Sequence, residues 1–395
     1  FFPYPTPSDL QFGAIAGDLC DTESMFALKS LLDVLNVPNR DCRQDGTYTE
    51  LASRAGYLFN TTIAGIEQAD AVLLVGTNPR WEAPLVNARI RKRWMQGGLS
   101  VGLVGEDVDL TYDRDYLGVG PSALAAVVDG SHGFGKILGD AERPMVVLGP
   151  GALARPDGQA VYDLALRLAA TTRMVGPDWN GFNVLNTAAS RVGALDIGFI
   201  PVSGGLDVHG ILNGATNGDI KAVWLHGADE IDASRLGEAF VIYQGHHGDR
   251  GAHRADVILP GAAFTEKNAT YVNLEGRAQM ARMAVFPPGD AKEDWKIIRA
   301  LAGRIEQDLG FNSLRELRQA MVHATPSLGD VDTVTPSELS PVLKAAADRD
   351  SGKVSDHPFV SPIANFYQTD PISRASETMA QCVTQLMAAP AEAAE

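Results

Sequence analysis

The sequence predicts an α/β fold, doubly wound parallel-sheet units stacked on one another and followed by a C-terminal extension, and three features carry that prediction. Short runs that are apolar on both alternating faces, such as Ala71–Val75 and residues 145–148, suit strands covered by helices on both sides. Segments with apolar residues every three or four positions alternate with those runs, as βαβ crossovers require. The length of 395 residues exceeds one ordinary core and suits two or three domains.

Residues 12–17 read as a strand ending in glycine; Asp18 and Asp21 then offer helix caps, and Met25, Leu28, Leu32 and Leu35 recur at helical spacing until Pro38. Ala71–Val75 ends at Gly76-Thr77-Asn78-Pro79. Pro84 suits a first helical turn, Val86, Ile90 and Trp94 give its inward stripe, and Gly97-Gly98 closes it. Residues 101–105 supply the next strand. A second unit begins near Pro144 with a strand at 145–149 and a helix marked by Val161, Leu164, Ala165 and Leu168. Residues 219–227 and 240–243 repeat the strand signal, and Trp295, Ile298, Leu301, Ala302 and Ile305 predict a long helix over 293–309. Beyond Thr325 the chain turns Pro-, Ser- and Asp-rich, an extended surface segment ending in an Ala/Glu tail at 388–395 that is expected to fray. The expected division is a first α/β unit over 1–140, a second over 141–310, and the extension over 311–395.

With 49 acidic against 33 basic side chains and a formal charge of −16, the chain repels phosphate backbones, so no nucleic-acid partner is expected. No run approaches the roughly 20 apolar residues of a spanning helix, so no direct membrane insertion is expected. The start Phe1-Phe2-Pro3-Tyr4-Pro5 lacks the basic and apolar regions of a secretory signal. Cys20, Cys42 and Cys382 form no C-x-x-C pair; each reads as a small core residue, and no metal site is expected.

Gly149-x-Gly151-x-x-Ala154 follows a strand, but Pro156-Asp157-Gly158 starts the helix too late for its amides to face a pyrophosphate, so it reads as a turn. His246, His247, Asp249 and His253 lack the spacing of a helical histidine pair and read as a glycine-relaxed loop. Arg89, Arg91, Lys92 and Arg93 either grip an acidic partner or, as the plainer reading, complement the carboxyl end of their helix. No nucleophile–base arrangement stands out, and no catalytic residue is assigned.

Two blocks resemble the molybdopterin oxidoreductases: residues 70–79 with Glu82-Ala83-Pro84 and the arginine-rich helix behind them, and residues 255–261 with Glu266, Thr270, Asn273, Glu275, Gly276 and Arg277. Residues 58–65, 244–249, 293–301 and 370–376 are similar to signatures of one branch, the large iron–sulfur subunit of respiratory complex I, NADH-quinone oxidoreductase. The resemblance runs from Phe12 to Cys382, while residues 1–11 match nothing recognised in the family.

That resemblance implies stacked sheets of the molybdopterin oxidoreductase type. It implies a non-catalytic scaffold domain within an enzyme of the respiratory chain that passes electrons from NADH to ubiquinone. The 4Fe-4S and 2Fe-2S clusters of such subunits are expected in an N-terminal region outside these residues, with no cofactor in this chain. Gly76, Asn78, Asp256, Glu266, Asn273 and Arg277 are then remnants of a pterin site, the old cavity being filled by Arg80, Trp81 and Arg277 turned inward. Expected partners are other subunits of the peripheral arm, at the cytoplasmic face of a bacterial inner membrane or the matrix side of the mitochondrial one. The alternatives are an active molybdopterin-dependent oxidoreductase and a free-standing binding fragment.

Overall fold

The computed structural model describes residues 11–350 and 352–387. Most of the chain's start, read as lacking a signal, and the tail at 388–395 lie outside the described residues.

β1 (Phe12–Ala16) leads into α1 (Thr22–Val34), whose cap is Asp21, accepting from the Ser24 amide at 2.8 Å; Asp18, the other candidate, does not cap. Met25, Leu28, Leu31 and Leu32 of α1 are buried, and β2 (Asn39–Asp41) then pairs in parallel with β1. The chain next builds a separate sheet. Its strands and helices are β3 (Ala71–Val75), α2 (Pro79–Glu82), α3 (Pro84–Met95), β4 (Ser100–Val104), β5 (Asp115–Gly118), α4 (Pro121–Val128), α5 (Gly133–Asp140) and β6 (Pro144–Leu148). α6 (Pro150–Leu153), α7 (Gly158–Thr171), a ribbon of β7 (Val175–Gly176) with β8 (Trp179–Asn180), and β9 (Phe182–Val184) complete it in the order β5-β4-β3-β6-β9.

α8 (Arg191–Asp196) and α9 (Val208–Asn217) return the chain to the first sheet. There β10 (Ala222–His226), β11 (Phe240–Gly245) and, after α10 (Arg250–Arg254), β12 (Val257–Pro260) give the order β12-β11-β10-β1-β2. All pairings in both sheets are parallel, as the doubly apolar runs require.

The two sheets are nested, not tandem, which corrects the expected boundary at 140/141. β6 pairs with β3 from Ala71↔Pro144 to Val75↔Leu148, so that boundary cuts one sheet, and residues 71–184 are inserted between β2 and β10. A doubly buried run specifies a central strand but not its neighbour; the partner is fixed by contacts far apart in sequence.

An antiparallel hairpin follows, β13 (Ala269–Val272) with β14 (Ala278–Ala281), then α11 (Asp294–Arg304) and α12 (Leu314–Ala324). α11 stops five residues short of the predicted end. Glu306 adopts φ +58°, the Gln307 amide donates to Ala302 O at 2.8 Å and that of Glu306 to Gly303 O at 3.4 Å, closing the helix in a Schellman motif that apolar spacing does not announce. α11 and α12 pack on α1, with Phe26 and Phe311 6.5 Å apart.

The extension also differs from an extended surface segment. It contains α13 (Ser340–Ala347), α14 (Pro371–Arg374) and α15 (Glu377–Cys382), and between α13 and α14 it drives Phe359, 1% exposed, into the core under the β3–β6 sheet beside Val104, Leu148 and Ala152.

Candidate functional site

In open parallel sheets, ligands meet the loops at the carboxyl ends of the strands, so those two rims are where a site belongs. At the rim of the inserted sheet, β3 runs into Gly76, at φ +57°, where an added Cβ would collide with the backbone of Ala152. Thr77 Oγ1 donates to Glu82, Asn78 is buried with no protein partner for its Oδ1, and Pro79 opens α2.

The residues that fill the crevice come from the C-terminal extension, held there as a strap. The Phe359 amide donates to Val119 O at 2.8 Å, the Ser361 amide to Glu106 at 3.0 Å, and Ser361 Oγ to Glu82 at 2.7 Å. Arg155 donates to Ser355 Oγ at 2.7 Å and His357 O at 3.2 Å, and its guanidinium lies 5.0 Å from the Phe359 ring centre. Val360 O sits where a Cβ on Gly151 would stand, 2.6 Å away. The space between Gly76, Asn78, Glu106, Phe359 and Ser361 has no room for water. Burial raises the Glu82 carboxyl above its ordinary value, against its hydrogen bonds from Thr77 and Ser361.

The expected fillers lie elsewhere. Arg80, bonded to Asp109 at 2.7 Å, stays at the surface, Trp81 leans on Phe366 at 6.4 Å, and Arg277 donates to Glu275 at 3.0 Å on the β13–β14 turn. A guanidinium gains more from a carboxylate in water than from a dry crevice, which explains the first and last. A surface cleft of about 480 Å³ runs beside Asn78 and Arg80, with Glu106 and Asp109 on its wall opposing a pyrophosphate.

The six remnant-loop residues do not converge. Gly76 and Asn78 share the carboxyl end of β3, whereas Asp256 stands at the amino end of β12, accepting from the Val241 amide at 2.7 Å. Glu266 closes a turn through the Ala263 amide at 2.9 Å. Asn273 Oδ1 accepts from the amides of Glu275 at 3.1 Å and Arg277 at 3.0 Å, fixing the hairpin turn. Of the histidine group, His246 and His247 share a 2.8 Å contact between Nδ1 atoms, burial pulls His246 down to about 4, and Asp249 is bonded to Arg374. Among the described residues no group of three or more His, Cys, Asp or Glu is placed to hold a metal.

The rim of the first sheet carries a charge network that periodicity does not reveal. Lys267 is buried between Asp21 and Asp294, 2.7 Å from each. Burial works against its charge, but the two carboxylates outweigh it and hold its pKa well above the ordinary value. Asp294 also accepts from Gln244 Nε2 at 3.1 Å, His226 Nε2 and Ser24 Oγ are 2.9 Å apart, and Cys20 Sγ donates to His226 O at 2.9 Å. Burial lowers His226 and raises Cys20, leaving the imidazole neutral and the thiol protonated. The enclosed cavity between Cys20, His226, Gln244, His246 and Lys267, roofed by Pro371, is about 20 Å³, room for about one water.

On the other side of β1, Arg191 pairs with Asp45 at 3.0 Å and Gln44 Nε2 donates to Glu230 at 2.7 Å. Burial pushes Asp18 up to about 7, with Arg191 opposing and Asp45 and Glu230 adding to the rise. Arg374 of α14 closes this group through Glu230 at 2.7 Å. Cys42 is buried and pushed up to about 12, so it offers no thiolate at neutral pH, and Cys382 is half-buried on α15. The arrangement ties α1, the rim of the first sheet and α14 of the extension together, and its enclosed cavity has no space for a ligand the size of a dinucleotide. The sequence signals for it were the 244–249, 293–301 and 370–376 motifs, which supply Gln244 and His246, Asp294, and Pro371 with Arg374.

Comparison with known proteins gives a consistent set of matches. Residues 4–304 match the molybdopterin oxidoreductase family, and residues 333–382 match the C-terminal family of one NADH-ubiquinone oxidoreductase subunit. The chain is 44% identical over 369 residues to the mitochondrial NADH dehydrogenase [ubiquinone] iron-sulfur protein 1 of Solanum tuberosum, covering 93% of this chain and 48% of that protein. It is 41% identical over 385 residues to the mitochondrial NADH-ubiquinone oxidoreductase 78 kDa subunit of Neurospora crassa, covering 95% and 50%. A bacterial relative, the corresponding NADH-quinone oxidoreductase subunit of Rickettsia felis, is 41% identical over 374 residues, covering 94% and 53%. The chain thus spans about half the length of these relatives. A chain of the formyltransferase/hydrolase complex of Methylorubrum extorquens, solved with methylofuran, matches in fold with a TM-score of 0.56 at 17% identity, over 76% of this chain and 94% of that one.

Proposed function

The chain belongs to the molybdopterin oxidoreductase family, in the branch of the large iron–sulfur subunit of NADH-quinone oxidoreductase, and from that premise we propose that it is a cofactor-free scaffold domain of complex I. In this reading it supports electron transfer from NADH to quinone by holding neighbouring peripheral-arm subunits in place, and no residue of its own takes part in the chemistry. The observation that carries the reading is the C-terminal strap: Phe359 and Ser361 occupy the rim where a pterin dinucleotide would bind, and no space for water remains beneath them.

The family's cofactor therefore does not fit these residues. A dinucleotide needs several hundred Å³; the crevice at the end of β3 is filled, the cavity on the other sheet is about 20 Å³, and the open cleft of about 480 Å³ beside Asn78 sets the Glu106 carboxylate against a pyrophosphate. Iron–sulfur clusters are likewise assigned elsewhere, because they need several converging cysteines and among the described residues no group of three or more His, Cys, Asp or Glu comes together. Among the described residues no helix is long and apolar enough to cross a membrane. We place the domain peripherally, at the cytoplasmic face of a bacterial inner membrane or the matrix side of the mitochondrial one.

The test is purification of the protein from membranes of its own cells in mild detergent. NADH:quinone reductase activity should co-purify with it, while the isolated domain should hold neither molybdenum nor iron. Stoichiometric molybdenum in the isolated domain would favour an active pterin enzyme, and a chain that never co-purifies with the reductase would favour a free-standing protein.

A further inference from the structure

The inner side of α3 is fully engaged, with Val86, Asn87 and Ile90 buried. Its outer side is not. Leu85 is 78% and Met95 63% exposed, and Ala88 and Lys92 between them are exposed too. Spacings of three, four and three put these four side chains in one stripe, with about the width of the seam between two packed helices. Soluble proteins expose single apolar residues freely, but an aligned set on one helix face marks a contact surface.

The charge around the stripe is opposite to that of the whole chain. Lys92 lies within it, and Arg89, Arg91 and Arg93 flank it on the same helix, with Arg80 on α2, in a protein of net charge −16. Glu67 takes Arg89 and Lys92, and Asp109 takes Arg80. Arg91 donates to the Thr111 carbonyl at 3.3 Å and the Met95 sulfur at 3.2 Å, and Arg93 to the Gly97 carbonyl at 2.6 Å, so among the described residues neither guanidinium meets a carboxylate. Complementing the helix's carboxyl end accounts for the cations at 92 and 93 but not for the apolar stripe beside them.

We propose that the outer face of α3 docks an acidic amphipathic helix of a neighbouring subunit. Its apolar residues seat on Leu85, Ala88 and Met95, and its Asp or Glu flanks meet Arg91 and Arg93. The proposal rests on the reading of this chain as part of a larger complex and names one partner chemistry for it. A helix fits better than an anionic membrane surface, because lying in a bilayer takes a broad apolar face with bulky residues, and here Ala88 is small and Lys92 interrupts the stripe.

The experiment is done in the assembled complex, with a photoreactive side chain placed at position 85 or 95 and the captured peptides sequenced by mass spectrometry. Both positions should capture the same segment, with apolar residues three or four apart and flanking carboxylates. Leu85→Glu, Met95→Glu and the double variant Arg91→Glu/Arg93→Glu should each cut the chain's share in the assembled complex at least about tenfold, and Arg91→Lys/Arg93→Lys should restore it. The melting of the isolated chain should not move for Leu85→Glu or Met95→Glu, whose side chains are largely exposed, and should fall by only a few degrees for the double charge reversal near the helix end. Capture of phospholipid, capture of a segment without carboxylates, or unchanged assembly of Leu85→Glu and Met95→Glu would overturn the proposal while leaving the scaffold reading intact. If the unsubstituted chain is absent from the complex, that reading falls and the docking surface falls with it.

Discussion

Lys267→Met should be among the most damaging single changes in the protein, and its damage should depend on pH in an unusual direction. The wild-type ammonium lies 2.7 Å from both Asp21 and Asp294, all three buried. Methionine keeps most of the volume but leaves two carboxylates facing each other without a cation, which costs about 3–5 kcal/mol. In the wild type Asp294 sits below the usual carboxylate range, burial being outweighed chiefly by Lys267. Its contribution is therefore present above the unfolded pKa and lost as pH falls. Without Lys267 the sign reverses: burial raises the carboxyl, and stability drops as pH rises through its new folded value. Urea unfolding of the two proteins should show a gap that is widest near neutrality and narrows toward pH 4. Lys267→Met/Asp294→Asn should recover much of the loss at neutral pH, while Asp21, which also caps α1, is left in place. A gap independent of pH, or a double variant no better than the single one, would refute the view of this group as a compensated ion triad.

Phe359→Ala removes the anchor of the strap and should cost about 3–5 kcal/mol, with faster amide hydrogen exchange over 355–364; Phe366→Ala, half exposed, should cost under about 1 kcal/mol. Asp18, pushed up to about 7 by burial, contributes stability that is full below its unfolded pKa and lost as pH rises toward 7; Asp18→Asn should flatten stability between about pH 4 and 7. Arg277→Ala leaves the buried Glu275 without its guanidinium and removes the bond to Asp332 O, and should cost about 1–3 kcal/mol by thermal melting. Gly76→Ala meets both a positive φ and the backbone of Ala152, and should lose about 1–3 kcal/mol in the same assay.

What the sequence makes legible is local. The run Ala71–Val75 specifies a doubly covered strand by its side chains alone, and Asp21 followed by Met25 and Leu28 specifies where α1 begins. Sheet membership is not local: β6 follows β5 in the chain but pairs with β3, so a tandem boundary at 140 looks natural until the register is known. The candidate site was legible as motifs and not as a place. Residues 70–79 and 255–277 read as one block pair, yet Asp256 faces the amino end of its sheet while Gly76 faces the carboxyl end of the other. Lys267 was invisible, and Asp294 was visible only as part of the 293–301 motif, because nothing in sequence distinguishes a buried charged group from the many solvated ones until its partners are known. Phe359 was hidden in the same way, a lone aromatic in a polar stretch whose partners lie more than 200 residues upstream.

The scaffold reading is tested most directly by turnover per assembled complex. Lys267→Met and Asn78→Ala should be introduced in the full-length protein, the complex isolated from membranes, and NADH:quinone reductase activity divided by the amount of assembled complex. The account predicts fewer complexes, most of all for Lys267→Met, each with unchanged turnover. Normal assembly with turnover cut several-fold in either variant would place these rims in the chemistry and contradict the scaffold reading.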